Sequence, residues 1–290
     1  MRFALGVLFL TIASITFAQP VERSSNANDA KAVFDLHVHL RDGETSLREY
    51  EADVARAVLE VEGLGAMWFG GQHQAPAGNP KDIQARNDAM LAWAQKHPKV
   101  LPIATVHPYD GQAALKELER LAARGVKVIK IHAHTQKFDV ADPRVTTLAR
   151  KAGEVGLVVL MDNANILPGD SEKLFNLAVA APGTNFVFAH MGGANFRFWN
   201  ILTLARTADG FGMQNVFFDI SGVVLLAADS PIEEEFIWTV RNVGIDQVIL
   251  GSDYPQISLE RTMKAFEKIN FTDEEKAKIR VGNARKLFER

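Results

Sequence analysis

From residue 33 onward, short apolar runs rich in β-branched residues alternate with longer amphipathic stretches, and the alternation repeats eight times. The pattern predicts strands at 33–39, 66–70, 100–106, 126–132, 157–162, 185–190, 216–221 and 247–253. Helices are expected between them at 45–62, 82–96, 111–123, 143–155, 170–180, 197–207, 231–242 and 258–269. The segment AALKELERLAARG shows why. Leu115, Leu118, Leu121 and Ala122 form one helical stripe, Lys116, Glu117, Glu119 and Arg120 stay in water, and Gly125 stops the helix. Asp142-Pro143, Asp170, Ser230-Pro231 and Ser258 are helix starts of the expected chemistry. Eight strand–helix units in one unbroken composition regime imply one α/β domain, a TIM (β/α)8 barrel over 33–290 with extra C-terminal helices at 273–288. A doubly wound open sheet is the rival. It usually carries a glycine-rich phosphate loop after its first strand, and HVHLRDGE is not one.

The first strand, VFDLHVHL, places Asp35, His37 and His39 on one face by simple alternation, just before the chain breaks at Asp42-Gly43. Two imidazoles so spaced can converge on one ion. The other strands end similarly: Lys130 and His132 on the fourth, Asp162 on the fifth, His190 on the sixth, Asp219 and Ser221 on the seventh, Asp253 on the eighth. On the sixth, alternation groups Phe186 and Phe188 with His190. Four of the eight histidines therefore fall at strand C-termini, the rim where a TIM barrel keeps its chemistry. Imidazoles and carboxylates together suit a divalent ion, zinc first and manganese or iron as alternatives. Trp68 and His73 follow the second strand and read equally as pocket lining or as surface loop.

Composition excludes other chemistries. The chain has no cysteine, so disulfides, thiolate metal sites and a cysteine nucleophile are ruled out. Basic residues are neither in excess nor clustered, with a formal net charge of −3, so no nucleic-acid partner is expected. Arg2, the apolar run to Ile15 and the small-x-small site ending at Ala18 read as a signal peptide over 1–18, too short to span a membrane of the usual thickness. Cleavage makes Gln19 the first mature residue, opens a polar leader over 19–32 expected to be disordered, and implies export to a periplasm or beyond.

His-x-His on strand one, the histidine ending strand six before Met-Gly-Gly, GSDYP on strand eight and the closing VGNARKLF together resemble the amidohydrolase superfamily. More narrowly, they resemble its amidohydrolase-related branch, which includes aminocarboxymuconate semialdehyde decarboxylase and several lactonases. The resemblance implies a small-molecule substrate and one divalent ion on His37, His39 and Asp253, with His190 orienting substrate or handling a proton; relatives of this branch are often homodimers. It also implies hydrolysis of an amide or lactone, with Asp253 taking a proton from a metal-activated water, or alternatively non-oxidative decarboxylation of a small carboxylic acid. A non-catalytic binding barrel is the third reading. The branch usually ends strand five with a histidine ligand, where this chain has VLMDNAN and Asp162. Asp162 is then expected as a ligand in its own right, or as support for a ligand at His132, or as the mark of a site that has lost its ion. Lys130 is a candidate metal or substrate contact.

Overall fold

The computed structural model describes residues 32–70, 73–210 and 212–288. The expected signal peptide and all but the last residue of the leader lie outside them. No helix among the described residues is long and apolar enough to cross a membrane.

Eight strands run in chain order around one parallel sheet: β1 Ala32–His39, β2 Glu60–Met67, β3 Val100–Ala104, β4 Val128–Ile131, β5 Val158–Met161, β6 Phe186–Phe188, β7 Val216–Asp219 and β8 Val248–Ile249. Backbone bonds from Leu36 N to Leu250 O (3.0 Å), Asp253 N to His37 O (2.8 Å) and His39 N to Tyr254 O (2.8 Å) bring the end of β8 against β1. The result is a TIM barrel, with helices between successive strands and further helices after β8. Alternation divides the apolar side chains. Leu36, Ile103, Val128, Val158, Leu160, Val187 and Ile249 fill the barrel interior, whereas Ile129, Ile131, Val159, Phe186, Phe188 and Phe218 face the helices. The C-terminal helix Asn283–Phe288 closes the floor, stacking Phe288 on Phe34 at 6.1 Å between ring centroids.

Strand β8 covers only Val248–Ile249 rather than 247–253, which leaves Asp253 on the loop beyond it, and three further local expectations need correction. The first helix ends at Ala57 rather than 62, and β2 begins at Glu60 rather than 66. The two glycines of EVEGLGAM disguise this strand. They serve close packing against β1: a Cβ on Gly65 would come within 2.3 Å of the Leu36 carbonyl oxygen. The second correction concerns β1. Its register against β2 slips between Asp35 and Val38, where three residues of β1 match two of β2, so one extra residue is inserted. Asp35 therefore leaves the face of His37 and His39. Its buried carboxylate accepts from Tyr50 Oη (3.0 Å), Ser252 Oγ (2.6 Å) and Ser252 N (2.8 Å), tying β1 to the segment that carries Asp253. Burial raises its pKa to about 6 against these hydrogen bonds. The third is β6, where Phe186 and Phe188 point outward and Val187 and Ala189 point inward. Strict alternation would have sent His190 outward with the phenylalanines. Instead the chain turns left-handed at His190 (φ 61°), Met191 (φ 47°) and Gly192 (φ 87°), which swings the imidazole over the barrel mouth.

Candidate active site

The bulge on β1 and the turn after β6 bring the strand-end residues together. His37 Nε2 and His39 Nε2 each lie 3.3 Å from Asp253 Oδ1, and one donor atom from each of these three residues falls within 4.8 Å of the others. Asp253 adopts a positive φ of 66°, uncommon outside glycine, which is the kind of backbone strain found where a side chain must be aimed. Gly251 makes the space: a Cβ there would press on the His37 Cβ at 2.9 Å and on the Asp219 carboxylate at 3.3 Å.

The partners behind the histidines decide which nitrogen faces the site. His39 Nδ1 lies 2.6 Å from the Phe69 carbonyl, an acceptor, so Nδ1 carries the hydrogen and Nε2 the lone pair. His37 Nδ1 lies 3.0 Å from Asp219 Oδ2, which selects the same tautomer. Asp219 is itself fully buried and accepts from Ser221 N (2.9 Å) and from Ser221 Oγ. Burial works against its charge, but His37, His190 and Ser221 outweigh it and keep the carboxyl well below the usual range. A carboxylate or carbonyl behind each ligating imidazole is the support that metal-binding histidines ordinarily have. Burial lowers His39 to about 4, leaving its ring neutral at physiological pH. Burial works against the Asp253 charge, but the surrounding His37, His39 and His190 outweigh it and hold the carboxyl at about 2, ionised. Two imidazoles turned with Nε2 to the site and one carboxylate thus fit a divalent ion. His37, His190 and Asp219 form a second close group, but there His37 Nδ1 faces Asp219, and His190 Nδ1 sits 3.0 Å from the Ser221 carbonyl.

Asp162 joins neither group. Its Oδ1 stands 3.3 Å from His190 Nε2 and 3.7 Å from His132 Nε2. Burial opposes the His190 charge, yet the Asp162 hydrogen bond and the charges of Asp219 and Asp253 lift His190 to about 9. The same pairing carries Asp162 far below its usual range despite burial. His190 is therefore an imidazolium whose two N–H groups are directed at Asp162 and Ser221. His132 is lowered to about 4 by burial, and its Nδ1 is buried without a hydrogen-bond partner among the described residues. Lys130 is fully buried on β4, with Nζ 2.9 Å from His37 Nε2, and burial lowers its pKa against the pull of Asp162, Asp219 and Asp253. Strand position placed Asp219 and Ser221 at the rim, but nothing in their spacing assigned them to support His37 and His190. His134 lies outside the cluster, paired with Asp170 at 3.0 Å.

A TIM barrel with this His-x-His, histidine and aspartate rim defines a metal-dependent enzyme of the amidohydrolase type. The family model described as Amidohydrolase matches residues 34–290, and the chain belongs to that family, in its amidohydrolase-related branch. No curated protein matches the chain. Among solved structures, it is similar to 5-carboxyvanillate decarboxylase from Sphingomonas paucimobilis, at 19% identity and a TM-score of 0.65 over 83% of this chain and 82% of that one. It is also similar to 2,6-dihydroxybenzoate decarboxylase from Rhizobium, at 15% identity and TM-score 0.64 over 89% and 98% of the two chains. A third is dihydroxybenzoic acid decarboxylase from Polaromonas sp. JS666, solved with manganese and the inhibitor 2-nitroresorcinol, at 15% identity and TM-score 0.62 over 89% and 96%.

Proposed function

We propose that this protein is a metal-dependent, non-oxidative decarboxylase of a small carboxylic acid. The observation that carries the reading is the His190–Asp162 pair. Loss of CO2 leaves an electron pair on carbon that must be met by a proton, so the reaction needs a positioned acid. His190 is held as that acid, 3.3 Å from Asp162. The manganese-bound decarboxylase among the similar structures supports the same reading.

His37, His39 and Asp253 would hold the ion, zinc by its donor set and manganese by the similar structures; bound there, it supplies a Lewis acid for substrate oxygens. The protein's own residues do the rest. The C–C bond to the departing carboxylate breaks, its electrons stay on the substrate carbon, and His190 gives that carbon a proton from Nε2. Asp162 holds the imidazolium until the Nε2 proton moves to carbon, and the neutral imidazole left behind takes its next proton from water. Asp219 and the Phe69 carbonyl keep His37 and His39 turned with Nε2 to the site.

The test is CO2 release from a panel of hydroxybenzoates by protein loaded with zinc or manganese, run beside a panel of lactones and amides. Release of CO2 that stops on chelation supports the proposal. Ring opening of a lactone or amide cleavage without CO2 would replace it with the hydrolytic reading, in which Asp253 is the base. A purified protein that binds neither ion would favour a non-catalytic barrel.

A further inference from the structure

Between the segments that follow β1 and β2 lies a cavity of about 230 Å³ that the chemistry above leaves unused. Arg41, Trp68, His73, Arg86 and Trp93 are among its lining residues, and none of the lining side chains is acidic. It adjoins the site through the chain. Arg41 follows His39 by two residues, and Trp68 precedes Phe69, whose carbonyl fixes the His39 ring. Arg41 Nη2 also reaches Gln256 Oε1 at 3.4 Å, in the loop that carries Asp253.

The hydrogen bonding of this cavity is incomplete. Arg86 Nη1 lies 3.3 Å from His73 Nδ1; guanidinium can only donate, so Nδ1 accepts and Nε2 carries the hydrogen. Among the described residues, His73 Nε2 is buried with no hydrogen-bond partner, and so is Arg41 Nε. Two buried donors at one cavity therefore lack an acceptor among those residues, a deficit that folded proteins ordinarily avoid. The flanking acids do not fill it. Asp82 takes Arg86 Nε at 3.0 Å, Glu44 takes Trp93 Nε1 at 2.9 Å, and Asp42 stands 4.0 Å from His73 Nε2, outside hydrogen-bonding range. The Arg86 guanidinium lies over the Trp68 ring at 5.3 Å, which keeps the cation at the wall.

We infer that this cavity is a carboxylate-binding subsite for a planar, unsaturated acid, with the carboxylate oxygens taking the open donors of Arg41 and His73 and the ring lying against the tryptophans. Resting on the decarboxylase reading, this deepens it: the substrate carries a second acidic group, kept through the reaction, that is held between the loops after β1 and β2.

The experiment is calorimetric titration of metal-free protein with benzoate and with benzamide, its neutral counterpart of the same shape, in wild type, Arg41→Met and Arg86→Met. Wild type should bind benzoate at least about tenfold more tightly than benzamide, and each arginine variant should lose about tenfold for benzoate only. Equal affinity for the two probes, or benzoate affinity unchanged in both variants, overturns the subsite. Zinc and manganese titrations of the same samples keep the two readings apart. Protein that takes up no ion yet still selects benzoate removes the decarboxylase and leaves the subsite, whereas normal ion binding without benzoate selection does the reverse.

Discussion

Nζ of Lys130 lies 2.9 Å from Nε2 of His37, the nitrogen that faces Asp253. Burial lowers the Lys130 pKa against the pull of Asp162, Asp219 and Asp253, and its N–H groups occupy the His37 lone pair. A divalent ion on His37 must compete with it. Replacing Lys130 with methionine should tighten zinc or manganese binding by about tenfold, by freeing that lone pair. The metal-free variant should also melt at a lower temperature, since the buried His37 nitrogen loses its hydrogen-bond donor. Weaker ion binding in Lys130→Met would show that the lysine assists the ion instead.

The pair His37→Ala and His39→Ala should abolish ion binding and leave the barrel's circular dichroism intact, because the interior layers of Leu36, Ile103, Val128, Val158 and Ile249 do not depend on them. Stability should fall by roughly 3 kcal/mol, as Asp219 is left buried without its imidazole. Asp219→Ala should be milder for the metal, costing about 10–100-fold in affinity. Loss of helical signal in the double variant would make the histidines structural.

Asp162→Asn separates two roles for that residue. If it serves His190, as its 3.3 Å contact indicates, ion affinity should stay within about threefold of wild type while CO2 release falls about 100-fold. Metal titration and turnover are measured on the same preparation. An affinity loss as heavy as that of His37→Ala would instead place Asp162 among the ligands.

His190 sets a pH dependence whose sign can be worked out. Its pKa is raised from 6.5 to about 9, so its charged partnership contributes fully to stability below about 6.5, and that contribution is lost as pH rises through about 9. Asp162 is held low and stays ionised across this window. In chelator-treated protein, the stability difference between wild type and Asp162→Asn should therefore be widest below pH 6.5 and narrow towards pH 9. CO2 release should decline over the same upper range. A difference that grows with pH contradicts the assignment.

The leader makes a separate prediction. Protein recovered from an exporting host should begin at Gln19, read by N-terminal sequencing. A soluble cytoplasmic form that retains Met1 is the opposite result.

Much of the architecture was legible because a parallel barrel buries every strand and puts each helix between sheet and water. That demand writes apolar runs and amphipathic stripes into the chain, and it brought the rim residues near the strand ends, although His190 and Asp253 lie beyond the ends of β6 and β8. Strand β2 was expected to start too late because its glycines, required by the nearness of the Phe34 ring and the Leu36 carbonyl, carry no apolar period.

The sequence by itself determined the eightfold alternation, the histidine and aspartate inventory of the rim, and the absence of thiol chemistry. Only the tertiary structure decided which of those groups meet. Counting alternate residues put Asp35 with His37 and His39, and His190 with Phe186 and Phe188. One inserted residue in β1 sends Asp35 to Tyr50 and Ser252 instead, and a left-handed turn carries His190 across to Asp162. Both departures arise because alternation holds only while the backbone stays regular. Bulges and positive-φ turns are set by what the neighbouring strands and loops leave room for, which no single segment records.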